Sequence, residues 1–511
     1  MKTKTANASH ITTPSPASSF SSSSSSSVLA FSDFTCFTYL TLALLLSNQA
    51  YADPLINSWF TTYSGKYARI YATDADKTSG NAISTWSRGS ISQTIPAYCG
   101  VYFVGSSASW VYIRSSGLAS HIMGPWYLNA AHSQLFPNLP KNTATLYRIP
   151  RNPSAAAGKT LTGLGPIGYF VDGVAMFDTR DAFYWNGSSE LNGSGDWNRD
   201  AWVNESVTFD AGQAHQPGDG THHYHANPIA LRYLLGDHVD FNSPTKTYSE
   251  SAEAPTKHSP ILAWVRDGYP LYGPYGYSNP TNPASGVRRM VSGYVLRNGQ
   301  NGTQNLTTVG RTNIPAWAVR LYNVPASQIV GPNVSTTYPL GRYMEDNDYL
   351  GDLGYTNGVD FDLDEYNGRF CVTPEFPNGT YAYFVSISSG GTPAFPYNIG
   401  RAFYGNPTGG SVGTIGETIT TNFVGGSSSV LKLQAPKLQS SSGNVTLTWS
   451  SVEGGTYVLS ATQDFASWST NIAPSVIGTG IVATAMDTGA ATTNAQRFYR
   501  VTRTNLAAAA N

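Results

Sequence analysis

The chain has 511 residues, and its 30 Lys+Arg against 31 Asp+Glu give a formal net charge of -1. That balance excludes nucleic-acid binding by bulk charge, which needs an excess of cations. Charged residues make up only 12% of the chain, about half the usual share, while 50 Gly, 30 Pro, 32 Tyr and 11 Trp favour strands and turns over long helices.

In chain order, a Ser-rich tract (Ser19 to Ser27) precedes an apolar stretch from Val28 to Leu46, and Ala50-Tyr51-Ala52 supplies a small-residue cleavage pattern. Residues 1–52 are therefore expected to be a signal peptide cut after Ala52, so that the mature chain is secreted or periplasmic and has no transmembrane segment. Cys36 leaves with the signal, and Cys99 and Cys371 remain, either bridged or as two buried thiols. From Asp53 to Gly410 the text is dense in aromatics and Pro. Runs such as Ser109 to Ile113, Ile167 to Val171 and Thr380 to Ser386 read as strands, and the best helix is Ala226 to Gly236.

Residues 411–430 are rich in Gly, Ser and Thr and read as a flexible linker. Beyond them Val445, Leu447 and Trp449 alternate with Thr446 and Thr448, and short runs recur at Thr456 to Ala461 and Arg497 to Val501. The expectation is a small β-sandwich over 431–505, similar to immunoglobulin- or fibronectin-like accessory modules, with a disordered tail over 506–511. The fold class expected is mainly β: a large β-rich, sandwich-like domain with long loops over 53–410, plus the small C-terminal sandwich.

The acidic stretch Asp346 to Glu365 opens like a calcium loop, yet Leu350 and Asn357 fill ligand positions, so solvated turn carboxylates are the expectation. The histidines are more informative. Of nine in the chain, His215, His222, His223 and His225 fall within eleven residues (AHQPGDGTHHYH). If Thr221 to Ala226 is extended, His223 and His225 share one face about 7 Å apart while His222 faces the other way. The turn at Pro217 to Gly220 brings His215 back beside them. Three imidazoles so placed fit a site for zinc, copper or iron. His121 and His132 are expected to pack near Trp126.

The run THHYHANP, followed by KHSPILAWVRDGYPLYGPYG and LDEYNGRFCVTPEFPNGTYAYF, resembles the YHYH-motif family of exported proteins, as do the upstream segments GLASHIMGPWYLN, FPNLPKN and GPIGYFVDGVAMFD. The resemblance implies a role for His258, which stands in the family's H-S-P element beside His215, His223 and His225, and it marks Asp267 to Gly273 and Leu363 to Arg369 as motif segments. His222 stands where the family has the first Tyr of its name motif, Tyr366 where it often has Cys, and Ala382 where some members carry His.

Three functions fit these residues. One is an exported protein whose His215, His223, His225 and His258 hold a divalent transition metal, copper or zinc. Another is a metal-dependent hydrolase or oxidase acting on an extracellular substrate, with Asp267 or Glu365 as general base. The third is a non-catalytic surface or adhesion protein with a cell-surface or extracellular polymer as partner.

Overall fold

A computed structural model describes residues 53–325, 329–494 and 496–511. The expected signal peptide, with Cys36, lies outside the described residues. Among the described residues, no helix is long and apolar enough to cross a membrane.

The long apolar run Ile261–Val265 is buried at every position, as a strand covered on both faces must be. It sits inside an eight-stranded sheet whose order is Ala214–His215, His223–Tyr224, Ala175–Met176, Gly168–Phe170, Ile261–Val265, Pro270–Tyr272, Thr380–Phe384 and Gly368–Cys371. Two neighbouring pairs in it are parallel: His223–Tyr224 with Ala175–Met176, and Pro270–Tyr272 with Thr380–Phe384. A five-stranded antiparallel sheet runs Gly410–Ser411, Thr145–Pro150, Trp110–Ser115, Val101–Ser106, Thr420–Val424. Val104, Val111, Ile113 and Ile149 of that sheet share one apolar core with Phe170, Leu262, Val265 and Leu271 of the larger one. The fold is thus mainly β and sandwich-like, as the composition implies.

A second core lies where the sheet Trp197–Asp200, Arg180–Trp185, Glu190–Asn192 meets the helix Ala316–Tyr322, with Trp197, Trp317, Tyr343 and Met344 at its centre. Here Arg311 and Asp346 form a fully buried, two-pronged ion pair at 2.7 Å. Asp362 pairs with Arg288 at 2.6 Å, and Asp360 accepts from the Thr356 amide. The acidic stretch thus has internal partners, as ordinary turn and ion-pair carboxylates do.

The C-terminal residues form two three-stranded sheets, Lys437–Gln439 with Asn444–Ser450 and Val482–Asp487, and Ser469–Ile477 with Gly455–Thr462 and Phe498–Leu506. Their own core contains Leu447, Trp449, Tyr457 and Leu459, which is the alternating set legible in the sequence.

Three sequence expectations about the backbone differ from the structure. Segments of the expected linker are edge strands: Ser411 pairs with Tyr147, continuing the pairing of Gly410 with Arg148, and Thr420–Val424 pairs with Val101–Ser106. Thr is β-branched, so a Thr-rich stretch serves a strand as readily as a linker. The expected disordered tail is docked: the Tyr98 amide donates to Ala510 O at 3.2 Å, the Ala510 amide donates to Pro96 O at 2.8 Å, and Asn511 bonds Ser427. The C-terminal sheets also meet the larger part through Glu453, which accepts from the Tyr67 amide at 2.8 Å and pairs with Arg69. The helix is shorter than the pattern suggested, Ile229–Leu234, with Pro228 at its N-cap and Gly236 at φ +71° after it. Cys99 and Cys371 are both buried free thiols.

Candidate metal centre

The site is built at the outer edge of the eight-stranded sheet. His215 lies directly opposite His223 in the antiparallel pairing of Ala214–His215 with His223–Tyr224. His225 follows two residues on, so the period-two alternation of a strand returns its ring to the face of His223. The His223 and His225 Nε2 atoms are 3.0 Å apart, and one ligand nitrogen from each of His215, His223 and His225 lies within 4.8 Å of the others. All three side chains are buried. His222 points the other way, its ring edge-on to Trp126.

The hydrogen bonds behind the rings set their tautomers. His223 Nδ1 is 2.9 Å from Thr221 O and His225 Nδ1 is 2.6 Å from Asp178 O. A carbonyl only accepts, so both Nδ1 atoms carry the proton. His215 Nδ1 is 2.7 Å from Thr208 Oγ1, whose own hydrogen goes to Glu205 O at 2.7 Å, so His215 Nδ1 donates as well. Each neutral ring therefore presents a bare Nε2 lone pair to the other two. Burial keeps the rings neutral: it pushes His215 and His223 well below the ordinary histidine value and His225 down to about 4. Neither Nε2 of the close pair can donate to the other, and the contact is repulsive until a cation or proton lies between them. Two nitrogens bound tetrahedrally to zinc at about 2.0–2.1 Å stand about 3.3–3.4 Å apart, close to the spacing here.

Phenylalanines wall the cluster. Phe177 stacks on His223 with centroids 3.8 Å apart and meets His225 edge-on; Phe209 meets His215 edge-on at 4.7 Å. The remaining side holds Glu205, whose Oε2 lies 3.3 Å from His225 Nε2 and 3.7 Å from His215 Nε2, with 28% of its side chain exposed. Burial and the neighbouring Asp181 push its carboxyl up to about 8. Glu205 ends the helix Ala201–Glu205, which starts at Asp200, where the N-cap carboxylate accepts from the Val203 amide. The 3₁₀ turn Ser206–Thr208 that follows positions Thr208 behind His215. A five-residue helix is too short to show a period, so Glu205 left no readable pattern in the sequence. Its only sequence clue is a carboxylate ten positions before His215.

The other sequence candidates lie elsewhere. His258, expected as a fourth ligand, is outside the cluster found among the described residues. Its Nδ1 donates to Ser259 O at 2.7 Å and its ring packs on Tyr272, Tyr277 and Phe384, because the strand Ile261–Val265 that follows carries it to another part of the sheet. Asp267 is a turn anchor: its carboxylate accepts from Tyr383 Oη at 2.6 Å and from the Gly405 and Tyr269 amides. Glu365 is held by Arg320 at 2.8 Å and by Tyr366 Oη at 2.9 Å. Asp267 and Glu365 are thus engaged away from the three histidines, and the carboxyl group that stands beside them is that of Glu205.

The fold and site together define a mainly β protein with a buried three-histidine cluster, closed by aromatics and open beside one carboxylate. Residues 146–397 match the family model described as YHYH protein, which supports the YHYH family for this segment. No curated protein and no solved structure matches the chain.

Proposed function

We propose that this is an exported YHYH-domain protein that binds a divalent transition metal, zinc or copper, through Nε2 of His215, His223 and His225. The carrying observation is the convergence of three bare Nε2 lone pairs whose Nδ1 protons are all anchored on oxygen. Anchored tautomers of this kind are what orient histidine ligands in metal sites. Export rests on the Ala50-Tyr51-Ala52 pattern after the apolar run, and the C-terminal sheets are read as an accessory module for spacing or attachment. The test is the metal content of the secreted, full-length mature protein by mass spectrometry. About one equivalent of zinc or copper is expected, and metal-free protein from metal-replete medium would overturn the reading.

A second reading, a metal-dependent hydrolase or oxidase, is favoured by Glu205. Three protein ligands leave a fourth position for water, and the partly buried Glu205 carboxyl lies 3.3–3.7 Å from two of the ligand nitrogens; a bound cation would draw that carboxyl, raised by burial, back to its ionised form, able to take a proton from the water or to bind the metal itself. If Glu205 is a ligand, Glu205→Gln loses metal affinity. If it is a base, Glu205→Gln keeps the metal and loses turnover.

A further inference from the structure

Of the three clustered histidines, His225 is the one that the sheet does not hold by its backbone. The strand His223–Tyr224 ends one residue before it, whereas His215 and His223 face each other within the ladder. A buried carbonyl outside a ladder needs a donor from elsewhere. For His225 O that donor is the side chain of Asn398, whose Nδ2 stands 3.2 Å away. A carbonyl only accepts, so the amide must face it with its nitrogen. The amide oxygen, turned the other way, is buried and has no partner among the described residues. An unpaired buried oxygen costs stability, so stability alone does not account for an asparagine here.

The loop at 396–399 that carries Asn398 also bears on the carbonyl beneath the His225 ring. That carbonyl belongs to Asp178. The next residue, Thr179, shares its hydroxyl hydrogen between Pro396 O at 3.1 Å and Ile399 O at 3.2 Å. On the other flank the Asp178 carboxylate is held by Arg180 at 2.7 Å and by the Thr162 hydroxyl at 3.0 Å. The peptide that joins 178 to 179 is therefore pinned from both sides. The loop itself is held in a costly shape: Tyr397 sits at φ +67°, which a bulky residue adopts only where its surroundings impose it. Its amide donates to Ala394 O at 2.8 Å, its carbonyl accepts from the Ser386 amide at 2.7 Å, and its hydroxyl donates to Asp200 at 2.8 Å. Asn367, in the motif segment Leu363 to Arg369, donates to Asn398 O at 3.1 Å, so that segment reaches the histidines through this loop.

We propose that Thr179 and Asn398 are positioning residues of the metal centre. Thr179 fixes the carbonyl that keeps the proton on His225 Nδ1, and Asn398 fixes the His225 backbone. Together they hold His225 Nε2 bare and turned toward His215 and His223, while neither side chain is itself a ligand. The inference rests on the metal-binding reading above.

The test uses the full-length mature protein, with zinc as the probe and two readouts. Zinc affinity is measured by competition with a chelator, and the His225 tautomer in metal-free protein by long-range ¹H–¹⁵N spectra of histidine-labelled material. Asn398→Ala and Thr179→Val should each weaken zinc binding about tenfold, the lower end of what partners behind a ligand contribute. Each should also turn the single Nδ1–H form of His225 into a mixture of tautomers. Thr179→Ser, which restores the hydroxyl, should return both readouts to those of the parent. Leu447→Ala empties part of the C-terminal core and should lower stability without moving either readout, which separates positioning from a general loss of stability. Thr179→Val decides the matter should Asn398→Ala fail to fold. Parent-like zinc affinity with a single His225 tautomer in both variants overturns the proposal and leaves the metal reading standing. Zinc binding weakened in Leu447→Ala as much as in Asn398→Ala overturns it too. A parent that takes up neither zinc nor copper overturns the metal reading, and the tautomer readout then judges the hold on His225 alone.

Discussion

Thr208 offers the cleanest test of how the three imidazoles are held. Its hydroxyl accepts from His215 Nδ1 and donates to Glu205 O, both at 2.7 Å. Thr208→Val keeps the shape and removes the acceptor, leaving a buried N–H without a partner at a cost of about 1–3 kcal/mol. His215 can escape that cost by moving its proton to Nε2, which turns the ligand atom into a donor and takes it out of the cluster. Either way the metal-bound state is penalised, and the expected loss is about 10- to 100-fold in affinity, or about 1.4–2.7 kcal/mol. Thr208→Ser, which restores the hydroxyl, should recover affinity to within about threefold. Competition against a chelator of known affinity, with metal counted by mass spectrometry, measures all three proteins. If Thr208→Val binds as the parent does while His215→Ala does not bind, then the Nδ1 proton of His215 is not what sets its orientation.

His223→Ala and His225→Ala should each abolish or strongly weaken metal binding, whereas His222→Tyr should leave it nearly intact, as equilibrium dialysis would show. Asp346→Ala leaves Arg311 charged and fully buried, so urea denaturation should report a loss of about 3–5 kcal/mol. Burial holds His121 down to about 4 in the fold, below its unfolded value of about 6.5. The unfolded chain thus takes up that proton first, and the stability tied to neutral His121 is full above about pH 6.5 and is lost as pH falls toward 4. His121→Phe should therefore show a shallower fall in denaturation midpoint between pH 6.5 and 4 than the parent. Proteolytic nicking in the 412–419 loop should yield two fragments that stay together in native gel filtration, because Glu453 and Ala510 tie the C-terminal sheets to the rest; separate elution would contradict that docking.

The face assignment of the histidines was legible because strand alternation is a local rule. His223 and His225 needed only an extended backbone, and His215 only a tight turn at Pro217 to Gly220. His258 was another matter: the same motif context surrounds it, but which strand it precedes decides where it goes, and strand order is set by pairings such as Ile261–Val265 with Gly168–Phe170 that join residues far apart in sequence. Glu205 was invisible for the converse reason, since its helix is too short to carry a period and its neighbour at the site is found only once the sheet edge is folded. The edge strands at 410–411 and 420–424 were hidden by composition, because their sequences are those of a linker and only pairing makes them strands.

The Phe177 ring stacked on His223 bears on rates as well as on geometry. With Phe177 and Phe209 covering the imidazoles, a metal held at their Nε2 atoms could be approached by water or a competing ligand chiefly along the side of Glu205. Exchange would then pass through one narrow, ionisable gate, and a chelator would strip the ion slowly even where equilibrium favoured its loss. Truncating Phe177 to Ala would open a second door, and the signature would be faster release at little change in the amount of metal bound.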